Sequence, residues 1–114
     1  MATGFDVQDV LGNVVHVTEA AWRYVIRGHP DMVGKETLVK DAIAHPDTVY
    51  RRGAERQRLT FSSRNVQMGG HQGYTRAVVE YDTSQPEAGN GTGHLVTAYL
   101  SRRTFKGMVV WQKP

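Results

Sequence analysis

The chain contains no cysteine. That excludes disulfide staples, thiolate nucleophiles and cysteine-ligated zinc, and with no sign of an oxidising compartment a cytoplasmic protein is expected. Long apolar runs are missing too: no stretch approaches the roughly 18 residues that a membrane helix needs. The opening MATGFDVQDV carries acidic residues and no apolar core segment, so neither a targeting leader nor a membrane anchor is expected. Five histidines are present, but no pair has the His-x-x-x-His or Glu-x-x-His spacing of a metal site. No metal and no cofactor is expected. Asn90-Gly91-Thr92 matches a glycosylation pattern, yet without a secretory signal it reads as a glycine-rich turn.

What is present suits one domain. A length of 114 residues with 39% hydrophobic content supports a single small core over residues 1–114, with 1–13 expected to be loosely ordered. Charge is sorted along the chain. Residues 1–47 hold four basic against seven acidic side chains, net −3, and residues 48–114 hold ten against four, net +6, which together give the whole-chain +3. A basic second part suits a polyanion partner, and it equally suits an ordinary solvated surface.

Periodicity predicts an α+β order. Val14–Val17 is a short β-branched run, and Thr18 offers an N-cap for a helix starting at Glu19. Trp22, Val25, Ile26 and His29 fall on one face of that helix, with Gly28 and His29-Pro30 as its stop. A second helix from about Glu36 to Ala44 buries Leu38, Val39, Ala42 and Ile43, and Pro46 ends it. An antiparallel meander then follows: Thr48–Arg52, Arg58–Ser63, Tyr74–Tyr81, His94–Ser101 and Met108–Gln112. MGGHQG at 68–73 reads as a hairpin loop, and the glycine-rich 83–93 segment as a mobile connector. Helices on one face of such a sheet would leave its other face free to bind.

Alternation assigns side chains to that free face. Val96, Ala98 and Leu100 are expected in the core, with Leu95, Thr97, Tyr99 and Ser101 on the other side. Arg58, Thr60 and Ser62 alternate with Leu59 and Phe61, and Tyr50 and Arg52 oppose Val49. Thr97 and Tyr99 are also simply strand-favouring residues, and His29 could simply pack at the helix end and cap carbonyls.

Several short stretches, taken in order, resemble a known family. Trp22, Val25-Ile26 and His29-Pro30-Asp31 resemble the first helix of the phage and bacterial nuclease-like domains grouped with barnase, EndoU, the tRNase colicins and RelE. Ile43, Pro46-Asp47 and Val49-Tyr50, then Val78-Val79, Val96-Thr97-Ala98-Tyr99 and Gly107–Trp111, match in the same order, over about residues 14–112. The resemblance implies two N-terminal helices packed on one face of a twisted four- to five-stranded antiparallel sheet. It also implies a toxin-like, metal-independent endoribonuclease of phage or bacterial origin. Where members commonly carry an arginine and a histidine beside the helix aromatic, this chain has Ala21 and Tyr24. Either the site is assembled from His29, strand arginines and Thr97, or the fold persists without activity.

The chemistry is transesterification, in which the ribose 2′-hydroxyl attacks its own phosphate and the 5′-oxygen leaves. It needs a proton acceptor, a proton donor and positive charge at the phosphorane. Histidine suits proton transfer near neutrality, and arginine can grip two phosphate oxygens. The candidate catalytic residues are His29, Thr97, Arg52 and Tyr99, and the candidate RNA-binding residues are Arg51, Arg58, Ser101, Arg102, Arg103 and Lys106. The expected partner is RNA, such as tRNA or ribosome-associated RNA, and the resemblance adds a cognate inhibitor protein. An RNA- or ribosome-binding domain without turnover, and a small protein-interaction module, remain the alternatives.

Overall fold

The β-branched run Val14–Val17 finds partners on both sides. In the computed structural model, which describes residues 4–114, it forms strand β2 between β1 (Phe5–Gln8) and β6 (Thr92–Ser101). Helices α1 (Glu19–Gly28) and α2 (Glu36–Ala44) come next, then β3 (Thr48–Arg51), β4 (Arg58–Met68), β5 (His71–Tyr81), β6 and β7 (Met108–Gln112). All seven strands share one sheet in the order β1-β2-β6-β5-β4-β3-β7. The β2–β6 pair is parallel, Val14–His16 against Thr92–His94, and every other pair is antiparallel.

This overturns the expected four- to five-stranded antiparallel sheet with two N-terminal helices packed on one face. Two additions make the difference. The N-terminal hairpin joins the sheet through the parallel pair, and β7 returns to pair with β3 beyond the meander. Residues 1–13, expected to be loosely ordered, supply β1 and the tight loop after it; residues 1–3 lie outside the described residues. Parallel pairing was invisible in the pattern because it joins segments some 80 residues apart, which local periodicity does not register.

Local signals decide the element ends. The Thr18 hydroxyl accepts from the Ala21 amide at 3.0 Å and starts α1, and the His29 amide closes it on the Val25 carbonyl at 2.8 Å. The β4–β5 hairpin turns on Gly69 (φ +59°) and Gly70 (φ +80°), the left-handed pair that a two-residue turn requires. The core joins both helices to the sheet: Trp22 and Val25 of α1 and Val39 and Ile43 of α2 are buried with Val15, Val17, Leu59, Phe61, Ala77 and Val79. Each buried Val, Leu, Ile or Phe side chain among these contributes about 1.5–3 kcal/mol. Among the described residues, no helix is long and apolar enough to cross a membrane.

A polar cluster is buried alongside this core. The Asp9 side chain accepts from the Leu11 amide (2.9 Å), the Asn13 amide (2.9 Å), Asn13 Nδ2 (3.0 Å) and the Tyr81 hydroxyl (2.6 Å). Asn13 then reaches the opposite loop, donating to the Pro86 carbonyl and accepting from the Gly91 amide. Gly12 and Gly89 let these loops touch: both have positive φ, and a Cβ at Gly89 would strike the Leu11 carbonyl oxygen.

Burial first, and then the neighbouring Asp9 charge, push the Tyr81 phenol well above its ordinary range. A pKa raised by folding means a contribution fully present below the unfolded value of about 10 and lost as pH rises past it. Unfolding free energy from urea titrations is therefore expected to fall above about pH 10, more steeply in the native chain than in Tyr81→Phe. At neutral pH, Tyr81→Phe is expected to be less stable by about 1–3 kcal/mol, because Asp9 loses a buried donor. Equal stability of the two proteins at pH 7 would refute this account of the cluster.

Candidate functional site

One extra residue in β6 decides which side chains reach the polar face of the sheet. The pairing of β5 with β6 shifts between Val78↔Thr97 and Val79↔Leu95, so Val96 is a β-bulge. Leu95 and Ala98 are both buried in the core. The expected alternation, with Val96 in the core and Leu95 facing out beside Thr97, is corrected by that bulge: a strict period of two cannot cross an inserted residue. Beyond the bulge Thr97 and Tyr99 do lie on the face away from the core, with Arg58 and Thr60 of β4.

These groups line one cleft of about 250 Å³, made of Arg52, Glu55, Arg58, Thr60, Val78, Val96, Thr97, Tyr99 and Phe105. An adjoining depression of about 350 Å³ is walled by Tyr24, Arg27, Gly28 and His29 of α1 and its end, with Val96 and Thr97. Val96 and Thr97 belong to both. The α1 side arrives there because β2 pairs with β6 only as far as His94, after which the chain has turned into α1 and packs against the rest of β6. His29, half-buried, lies with its ring 5.9 Å from that of Tyr99.

The electrostatics of the cleft are uneven. Arg58 Nε bonds Glu80 at 2.6 Å, and Nη1 stands 3.9 Å from Glu55. The hydrogen bond to Glu80, with the Glu80 and Glu55 charges adding to it against slight desolvation, raises the Arg58 pKa above its ordinary value. Arg52 is exposed and rests over the Phe105 ring at 5.0 Å. No carboxylate among the described residues pairs with it. A hydroxyl (Thr97), a phenol (Tyr99), a free guanidinium, a carboxylate (Glu55) and an adjacent imidazole are thus within one connected surface.

The remaining candidates lie elsewhere. Arg51 is turned to the other side of its strand, ion-paired with Glu87 at 2.7 Å. Ser101, Arg102 and Arg103 line a separate depression with Met68, His71, Gln72 and Leu100, and the Ser101 hydroxyl accepts from the Arg103 amide at 3.0 Å. Lys106 is exposed and lines none of these surfaces. His94 is exposed on the polar face rather than at a strand start. Asp6, His16, His94, Glu80 and Arg58 are successive cross-strand partners, with His16 Nδ1 2.6 Å from Asp6 and its ring 5.7 Å from His94.

Sequence reasoning passed over Glu55, Phe105 and Arg76. Glu55 and Phe105 stand in connectors, where alternation carries no signal, and Arg76 reads as one more strand cation. No protein-family model matches the chain, and no curated protein or solved structure is significantly similar to it.

The His29–Tyr99 contact is directly measurable. Tyr99→Leu is expected to move the His29 ring-proton resonances in an NMR pH titration while leaving those of His45 and His71 in place. An unchanged His29 signal would separate the two rings and break the connected surface.

Proposed function

We propose that the protein is an endoribonuclease that cleaves RNA without a metal, by attack of a ribose 2′-hydroxyl on the adjacent phosphate. The observation that carries this reading is the shared wall at Val96 and Thr97, which joins the His29 depression to the arginine-bearing cleft. The reading rests on those side chains and not on a family fold.

In the reaction the O2′–P bond forms and the P–O5′ bond breaks, leaving a 2′,3′-cyclic phosphate and a 5′-hydroxyl. Glu55, which lines the cleft beside Arg58, takes the 2′-hydroxyl proton in this reading. His29, as imidazolium, gives a proton to the leaving 5′-oxygen. It stands just beyond the C-terminal turn of α1. Arg52, free of any carboxylate among the described residues, meets the charge that gathers on the phosphorane oxygens, and the Thr97 hydroxyl donates to one of them. Tyr99 holds the imidazole in place by ring contact.

A second reading draws on the state of Arg58. With that guanidinium neutralised by Glu80, the cleft offers little positive charge to a transition state. An RNA-binding domain without turnover would need no more than Arg52 and the basic second part of the chain.

Incubation with total RNA in EDTA separates the readings. Cleavage with cyclic-phosphate ends is expected for the native protein. His29→Ala and Glu55→Gln are each expected to slow it by about 10²–10⁴-fold. Thr97→Val is expected to slow it by a further, smaller factor of about tenfold, the worth of one hydrogen bond to a charged group. Cleavage that persists in every variant rejects the site. Absence of cleavage with RNA binding that weakens steeply as salt rises supports the binding domain.

A further inference from the structure

The connection between β6 and β7 folds back onto the sheet, and a buried cation holds it there. Arg76 of β5 is only 3% exposed. Its Nε donates to Ser62 Oγ at 3.1 Å, and its Nη2 donates to the Arg103 carbonyl at 2.7 Å. The guanidinium carbon stands 4.7 Å from the Tyr74 ring centre and 5.4 Å from that of Phe105. No carboxylate among the described residues pairs with it. A guanidinium buried without a counter-ion is costly, and here two hydrogen bonds and two aromatic faces offset that cost.

The product of this arrangement is the placement of Phe105. Its ring packs on Tyr50 at 4.8 Å between centres, and it enters the cleft that Thr97 and Tyr99 also line. Arg52 lies over the same ring and has no carboxylate partner among the described residues, so nothing else ties it there. Closing a short connection requires no aromatic at that point. A flat hydrophobic wall beside a free guanidinium is what a nucleotide needs: a face for its base and a cation for its phosphate.

We propose that Phe105 is the base-stacking wall of this cleft and Arg76 the positioning residue that holds it, so that the site takes an unpaired segment of RNA. The proposal rests on the RNA-directed reading of the cleft given above. A base inside a duplex already has both faces covered by its neighbours and offers none to Phe105. The cleft, about 250 Å³, is near the lower end of small-ligand sites at about 300 Å³, the scale of a nucleotide and not of a helix. On binding, the base takes the ring face that Arg52 covers, and the displaced guanidinium closes on the adjoining phosphate.

The test uses binding, so that it stands apart from turnover. In the full chain carrying His29→Ala, fluorescence anisotropy is read with a labelled single-stranded RNA, with a duplex of the same length, and with a series of single strands in which each nucleotide in turn lacks its base. Phe105→Ala is expected to weaken single-strand binding about tenfold, with Phe105→Trp restoring it and duplex binding unchanged. At one position of the series, removal of the base should weaken the parent by a similar factor and leave no further loss for Phe105→Ala. Arg76→Lys, which keeps the charge but not the paired hydrogen bonds, should reproduce the loss on single strands and spare the duplex. The proposal is overturned if Phe105→Ala binds every RNA as its parent does, if its loss is the same at every base-less position, or if the parent binds no RNA. Were the native protein to bind in this way yet never cleave, the stacking wall would stand and the nuclease reading would fall.

Discussion

The buried Asp9 side chain is the point on which the arrangement of this protein turns. Four donors converge on it, two from the backbone of its own loop, one from Asn13 and one from Tyr81 at the end of β5. Left unsatisfied, such a group would cost more than an ordinary side-chain contact returns. Its partners therefore have to come together, and in doing so they bring the β1–β2 loop against the 83–91 connection. That juxtaposition sets Val14–His16 beside Thr92–His94 in parallel register. The N-terminal hairpin becomes part of the sheet for this reason, although β1 itself is only four residues long.

The position of the first helix follows from the same contact. β2 stops at Val17, one residue before the Thr18 cap, so α1 begins where the parallel pair ends and packs against the part of β6 that β2 no longer covers. His29 arrives beside Tyr99 as a consequence of helix length: α1 runs ten residues from a start fixed by β2. The bulge at Val96 completes the geometry by returning Leu95 to the core and placing both Val96 and Thr97 between the helix end and the cleft. A helix cap, a strand insertion and a buried carboxyl group thus determine who meets in the cleft.

Charge is organised by the same economy of partners. Arg51 and Arg58 find Glu87 and Glu80, while Arg76 is buried with a hydroxyl, a carbonyl and two rings in place of a carboxylate. Arg52 is left over. A row of arginines that looks uniform in sequence therefore divides into neutralised, structural and available members, and this division has no counterpart in the spacing of the residues. The excess positive charge of the second part of the chain is real, but its distribution is set by which acidic side chain stands across the strand.

Both helices, the cap at Thr18, the stop at Gly28-His29 and the core stripe through Trp22 and Val25 were legible in the residues, because each depends on neighbours within a few positions. The hairpin loop expected at 68–73 is narrower, with β4 running to Met68, β5 starting at His71 and only Gly69-Gly70 turning the chain. His29, Thr97, Tyr99, Arg52 and Arg58 were singled out as chemistry by side-chain type, which belongs to the chain itself. Their grouping was not, and neither was the separation of Arg51, Ser101, Arg102, Arg103 and Lys106 from them. The mixed seven-stranded sheet, the outward turn of Val96, the entry of Glu55 and Phe105 into the cleft and the burial of Arg76 were decided only by tertiary structure. Each arises from pairing between segments distant in sequence, where burial and the need to satisfy polar groups, and not local preference, select the partner.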